Sequence, residues 1–148
     1  MSEHRINTHW QRDDAAFERG NYPREHRVRF DGGQALRASA APEYGGDAAA
    51  ANPEELLLAA LSSCHMLTFL AVVANRGYVV ERYVDDAVAV LDKDADGRIA
   101  VTRAILAPTV VFAGDNRPSP DDYAKFHERA HAACFIAHSV KTQVELKL

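Results

Sequence analysis

The sequence predicts an α+β domain, and three observations carry that reading. The run from Asn52 to about Asn75 reads as one long helix with apolar residues on nearly every face. Short strand-like segments flank it on both sides, and the tail from Val140 to Leu148 alternates between apolar and polar residues. Hydrophobic residues are 47% and charged residues 26% of the chain, which excludes disorder, collagen-like repeats and a disulfide-dense miniprotein. At 148 residues, with no internal repeat and no low-complexity linker, the whole of 1–148 reads as a single domain. Lys and Arg number 17 against 21 Asp and Glu, a net charge of −4 that argues against nucleic acid as a partner. The opening MSEHRINTHW has no apolar signal core, so a cytoplasmic protein is expected.

The elements follow in order. Ile6 to Trp10, Val28 to Phe30 and Ala35 to Ala38 have strand character, and Asp31-Gly32-Gly33 is a hairpin turn between the last two. Tyr44-Gly45-Gly46-Asp47 reads as a loop. Asn52 is an N-cap, Pro53 suits the first helical position, and Glu55 completes a capping box. The helix stops at Gly77, a natural left-handed C-terminal residue. Ser62, Ser63, His65 and Thr68 interrupt its apolar run, so a buried central helix is expected in place of a membrane span. Tyr83 to Leu91 and Ile99 to Phe112 read as two strands, with Pro108 marking a break, bulge or edge in the second. Ser119-Pro120-Asp121-Asp122 opens a second helix that continues through His131 toward Cys134. A half-buried strand closes the chain. The long helix is too apolar for one subunit's sheet to cover, which predicts a homodimer.

Three constellations offer chemistry. Asp92-x-Asp94-x-Asp96-Gly97 imitates the opening of a calcium loop, but loop position twelve is Arg103 where a glutamate is needed; a solvated hairpin turn is expected. His127-Glu128-Arg129-Ala130-His131 matches H-E-x-x-H on a helix, where two imidazoles can hold zinc with Glu128 as general base. Cys134 can add a thiolate, yet the sole downstream carboxylate is Glu145 on the terminal strand, so the plainer reading is an exposed helix face with two histidines. Finally, Cys64 and Cys134 are too few for a disulfide framework and enough for one redox pair. They read equally as two small apolar residues packed in a core.

The stretch NPEELLLAALSSCHMLTFL, with AHAACFIAHS and an alternating strand after it, resembles the OsmC/Ohr family of thiol peroxidases. The family comprises osmotically inducible protein C and the organic hydroperoxide reductases. The resemblance runs from about Asn52 to the C-terminus; before that it is loose, through Tyr22-Pro23-Arg24 and Tyr44-Gly45-Gly46. It implies antiparallel sheets around the long helix and an intertwined homodimer. It also implies that Cys64 is the peroxidatic cysteine, Cys134 the resolving one, Arg24 the thiolate's partner and Glu54 the carboxylate that holds the arginine. Arg24 is chosen over Arg19, Arg27 and Arg29 by its distance to the Asp31-Gly32 turn. Organic hydroperoxides as substrates and a dihydrolipoyl-type dithiol as reductant follow from the same resemblance, with no metal or organic cofactor. Two departures stand out: Phe135 follows Cys134 where the family usually has proline, and His65 follows Cys64 where other branches carry phenylalanine.

The implied chemistry needs a thiolate, and a cysteine within an apolar helix has its pKa raised. The helix dipole cannot correct this eleven or so residues from the N-terminus, so a cation is expected, and arginine stays charged when desolvated. Glu54 and Cys64 are separated by about 15 Å of helix, which predicts that the Arg24–Glu54 pair serves the Cys64 of a partner chain. Three functions are carried forward: an organic hydroperoxide reductase, a zinc hydrolase on His127, Glu128 and His131, and a non-catalytic dimer with two inert thiols.

Overall fold

The computed structural model describes residues 1–148, which fall into two compact units, Met1–Leu56 and Leu57–Leu148. The sequence reads as one domain because no linker separates them; the boundary lies inside a helix.

The first unit is a three-stranded antiparallel sheet of β1 (Ile6–His9), β2 (His26–Phe30) and β3 (Ala35–Ala38), in that order. The expected hairpin joins β2 to β3, with the Phe30 and Gly33 amides bonded across the turn to Gln34 and Phe30 carbonyls at 2.9 Å. Gly45 has φ +74, and a Cβ on Gly46 would lie 1.6 Å from the Ala40 carbonyl oxygen, so this loop needs both glycines. Arg37 ties it down by pairing with Glu25 (2.9 Å) and Asp47.

Helix α1 (Pro53–Ala74) starts where the capping signals place it. The Glu55 amide donates to Asn52 Oδ1 at 2.8 Å, and the Asn52 amide to Glu55 Oε2 at 3.0 Å. Gly77, with φ +77, follows its end. Within one chain the helix is buried on one face. Only Leu61, His65, Phe69 and Val73 are buried, one stripe at i, i+4 spacing, while Leu67 stays 60% exposed. A single chain supplies partners for one face only. By length and composition α1 is long and apolar enough to cross a membrane. Phe69 and Val73 nonetheless pack into a core with Phe112, Phe126 and Ala130.

The second unit corrects the two long strands. Each is two strands: β4 (Val80–Asp85) and β5 (Val88–Lys93), then β6 (Ile99–Leu106) and β7 (Pro108–Phe112). β4 pairs with β7, whereas β5 and β6 pair with each other, both antiparallel. The switch occurs at one level, where Asp85 stands opposite Pro108. Proline cannot donate to the ladder, and the amide of the preceding Ala107 donates to Asp85 Oδ1 instead (2.7 Å). Ser62 of α1 donates to the other oxygen of Asp85. The Asp92–Gly97 segment is the β5–β6 turn, as expected: Asp94 Oδ1 accepts from the Asp96 and Arg98 amides at 2.9 Å each. Helix α2 (Pro120–Ala132) carries its Ser119 cap, a single turn α3 (Phe135–His138) follows, and β8 (Gln143–Leu146) joins β6 in parallel. The class is thus α+β, with one parallel pair among antiparallel ones.

Candidate active site

Successive helical residues point about 100° apart, so Cys64 and His65 face different neighbours although adjacent in sequence. Cys64 is half-buried and opens into an apolar cleft of about 420 Å³. Ala60, Leu67 and Thr68 of α1 line it together with Phe135 and Ile136 of α3. Cys134 is buried, 1% exposed, at the N-cap position of α3. Both thiols are free.

The two cysteines are neighbours: Cys64 lines its cleft with Phe135 and Ile136, the residues that follow Cys134. Burial is the largest influence on Cys64 and pushes its thiol up, but hydrogen bonds outweigh it and hold the group below the usual thiol range. The donors are the Cys134 thiol, the backbone N–H groups of Ile136 and Phe135, and the Thr68 hydroxyl. The single Thr68 proton is already committed to the Cys64 carbonyl at 2.8 Å, so its help to the sulfur is the weakest of these. Cys134 shifts the opposite way: burial raises its thiol first, the bond to Cys64 second. Sequence reasoning sought a cation and missed these local donors. One signal was readable, because Phe135 keeps the N–H that proline in its place would lack.

The two residues assigned as the thiolate's arginine and its carboxylate both lie in the first unit and do not pair there. Arg24 stacks on Tyr22 with its guanidinium carbon 4.3 Å from the ring centre, and donates to the Tyr22 (2.8 Å) and Gly20 (3.4 Å) carbonyls. A Cβ on Gly45 would lie 3.1 Å from the guanidinium carbon, so the loop passes close to this side chain. Arg19, Arg27 and Arg29 are exposed, whereas Arg24 is half-buried. Glu54 has one carboxylate oxygen buried with no hydrogen-bond partner.

The H-E-x-x-H helix departs from both readings of it. His127 is fully buried and His131 half-buried, so the face is not an exposed one. His127 Nδ1 faces His65 Nε2 at 3.0 Å, and no three His, Cys, Asp or Glu side chains gather as a metal centre needs. Phe69 stacks on the His127 ring at 4.1 Å and Tyr123 meets it edge-on at 4.6 Å. Aromatic packing has taken up this helix face. Glu128 is exposed on the other side. Neither sequence spacing nor periodicity shows that His65 and His127 touch, since 62 residues separate them.

The architecture and site define an α+β fold with two free cysteines, one on a long helix beside an apolar cleft and one at the start of the short turn that closes that cleft. Residues 45–148 match the OsmC-like proteins, and the chain belongs to that family. It is similar to the OsmC-like protein VCA0330 from Vibrio cholerae, with 44% identity, 99% of each chain covered and a TM-score of 0.96. That protein is described as of unknown function. The uncharacterized protein YmaD of Bacillus subtilis is 28% identical over 116 residues, 72% of this chain and 71% of that one. Two organic hydroperoxide resistance proteins share the fold. One, from Elizabethkingia anophelis, has 17% identity and a TM-score of 0.73 over 100% of this chain and 94% of that one. The other, OhrB of Bacillus subtilis, has 16% identity and a TM-score of 0.66 over 99% and 98%.

Proposed function

We propose that the protein is a cysteine-based peroxidase that reduces organic hydroperoxides, with Cys64 as nucleophile and Cys134 as resolving thiol. The observation that carries this reading is geometric: Cys64 lines an apolar cleft together with Phe135 and Ile136, the two residues that follow the buried Cys134, and its thiol is held below the usual thiol range. A depressed pKa supplies the thiolate, which is the nucleophilic form. The cleft suits an alkyl or aryl group better than it suits hydrogen peroxide.

The Cys64 thiolate attacks one oxygen of the hydroperoxide; the S–O bond forms, the O–O bond breaks, and the alkoxide leaves and takes up a proton as alcohol. Cys64 is then a sulfenic acid, and it is neutral. The negative charge beside Cys134 is one of the influences that hold its thiol up. Removing that charge lowers the Cys134 pKa at the step where it must attack. The Cys134 sulfur displaces hydroxide from the sulfenic sulfur, giving a disulfide and water. An external dithiol of the dihydrolipoyl type restores both thiols in two exchanges and is itself oxidised to a disulfide.

The same reading assigns a second copy of the chain as partner. Leu67 is exposed on α1, and Leu57, Leu58 and Met66 are only half-buried in one chain, a face of the kind that marks an interface. Glu54 carries an unpaired buried oxygen, and Arg24 spends its donors on two carbonyls alone. Both are therefore available to groups from a partner, in line with a role beside the partner's Cys64. The test is peroxide consumption with dihydrolipoamide as reductant. Cumene hydroperoxide should be turned over by the parent, not by Cys64→Ser, and without sustained cycling by Cys134→Ser. Equal turnover by parent and Cys64→Ser would overturn the assignment.

A further inference from the structure

The buried histidine pair has no part in the reaction above, yet its position bears on it. His65 is the residue after Cys64 on α1, and His127 lies on α2, the helix that leads to Cys134 seven residues later. Their exposures are 1% and 0%, their rings lie within 6° of parallel, and Nε2 of His65 is 3.0 Å from Nδ1 of His127. An N–H···N bond between two imidazoles holds one proton, with one ring donating and the other accepting, and two neutral rings of complementary tautomer satisfy it. The remaining nitrogens, His65 Nδ1 and His127 Nε2, are buried without partners. Buried unpaired nitrogens cost stability, and two leucines at these positions would cost none on this account. A core built for stability alone has no need of the pair. The bond does one thing that apolar packing cannot: it fixes direction and register between the two helices.

We propose that the His65–His127 bond is a positioning device, setting α1 against α2 so that the Cys64 sulfur meets Cys134 in hydrogen-bonding and then disulfide-forming geometry. Disulfides tolerate little error in the approach of the two sulfurs. A bond one residue from the first cysteine and on the helix that feeds the second is well placed to limit that error. The H-E-x-x-H pattern thereby acquires a role with its first histidine as a positioning residue and no metal. The proposal rests on the Cys64–Cys134 redox pair of the preceding section, but it concerns their geometry and not the oxidant.

The test therefore omits peroxide. The protein is equilibrated in reduced and oxidised glutathione, and the fraction carrying the Cys64–Cys134 disulfide gives the effective concentration of one thiol at the other. The double variant His65→Leu/His127→Leu leaves no orphaned nitrogen and should remain folded by circular dichroism while its effective concentration falls about tenfold. Glutamine at 65 and asparagine at 127 place an amide where the bonding nitrogen of each ring stands. His65→Gln and His127→Asn, singly, should each recover values within about twofold of the parent. A folded double leucine variant that pairs its thiols as well as the parent overturns the proposal, as does failure of both amide variants to recover what leucine loses. A parent that forms the disulfide in glutathione but ignores hydroperoxides would defeat the peroxidase reading and leave this one standing.

Discussion

The His65–His127 pair makes the stability of this protein fall in a defined pH window. Burial pushes both rings down to about 4; the charge of nearby His131 adds to this for His65, that of His65 adds for His127, and Asp85 on β4 opposes it for His65. In the unfolded chain each ring titrates near the ordinary value of about 6.5. Between those values the unfolded state binds protons that the folded state does not, so stability is complete above about 6.5 and declines as pH falls toward 4. At about 1.4 kcal/mol per pKa unit, each ring accounts for about 3 kcal/mol over the whole window. That is a large part of the 5–15 kcal/mol typical of a domain. The rings packed on His127, Phe69 and Tyr123, carry no negative charge to offset a proton. Urea melts at pH 7.0, 6.0 and 5.0 read the effect directly. The parent should lose stability steeply between 6.0 and 5.0, and His65→Leu/His127→Leu should lose far less. Equal losses in the two proteins would refute the reasoning, because carboxylates and exposed histidines are common to both.

Three further outcomes follow from the packing. Asn52→Ala removes one half of a reciprocal capping box and should lower stability by about 1 kcal/mol in urea melts, with the helix retained by circular dichroism. Phe69→Ala empties a fully buried site against Tyr83, Tyr123 and His127 and should cost about 3–5 kcal/mol, read as a lower Tm. Leu67→Glu places a charge on the uncovered face of α1; the parent should sediment as a dimer and this variant as a monomer, and a monomeric parent would contradict the partner assignment.

Local chemistry was legible in the sequence wherever it acts within a few residues. Asn52, Pro53 and Glu55 announce α1, Ser119 and Pro120 announce α2, and the Asp31-Gly32-Gly33 turn places a hairpin, because caps and turns are satisfied by near neighbours. The change of sheet at Asp85 and Pro108 was only half legible. Proline marks a break in the second strand, but the matching break after Asp85 depends on a bond to Ala107 across the fold. The candidate site shows the same divide. Cys64 and Cys134 are singled out by the family resemblance and not by their spacing, whereas two of the donors around the Cys64 sulfur belong to the backbone of Phe135 and Ile136, which residue type does not reveal. His127 was misread as exposed because histidine is polar on average. Its burial is decided by Phe69, Tyr123 and His65, all brought to it by tertiary packing.

Whether Cys64 and Cys134 form one redox pair driven by hydroperoxide is read from a count of thiols on the native protein before and after one equivalent of cumene hydroperoxide. Both thiols should disappear, Cys64→Ser should prevent the loss, and dihydrolipoamide should restore them. Two thiols still titrating after the hydroperoxide would contradict the redox pairing.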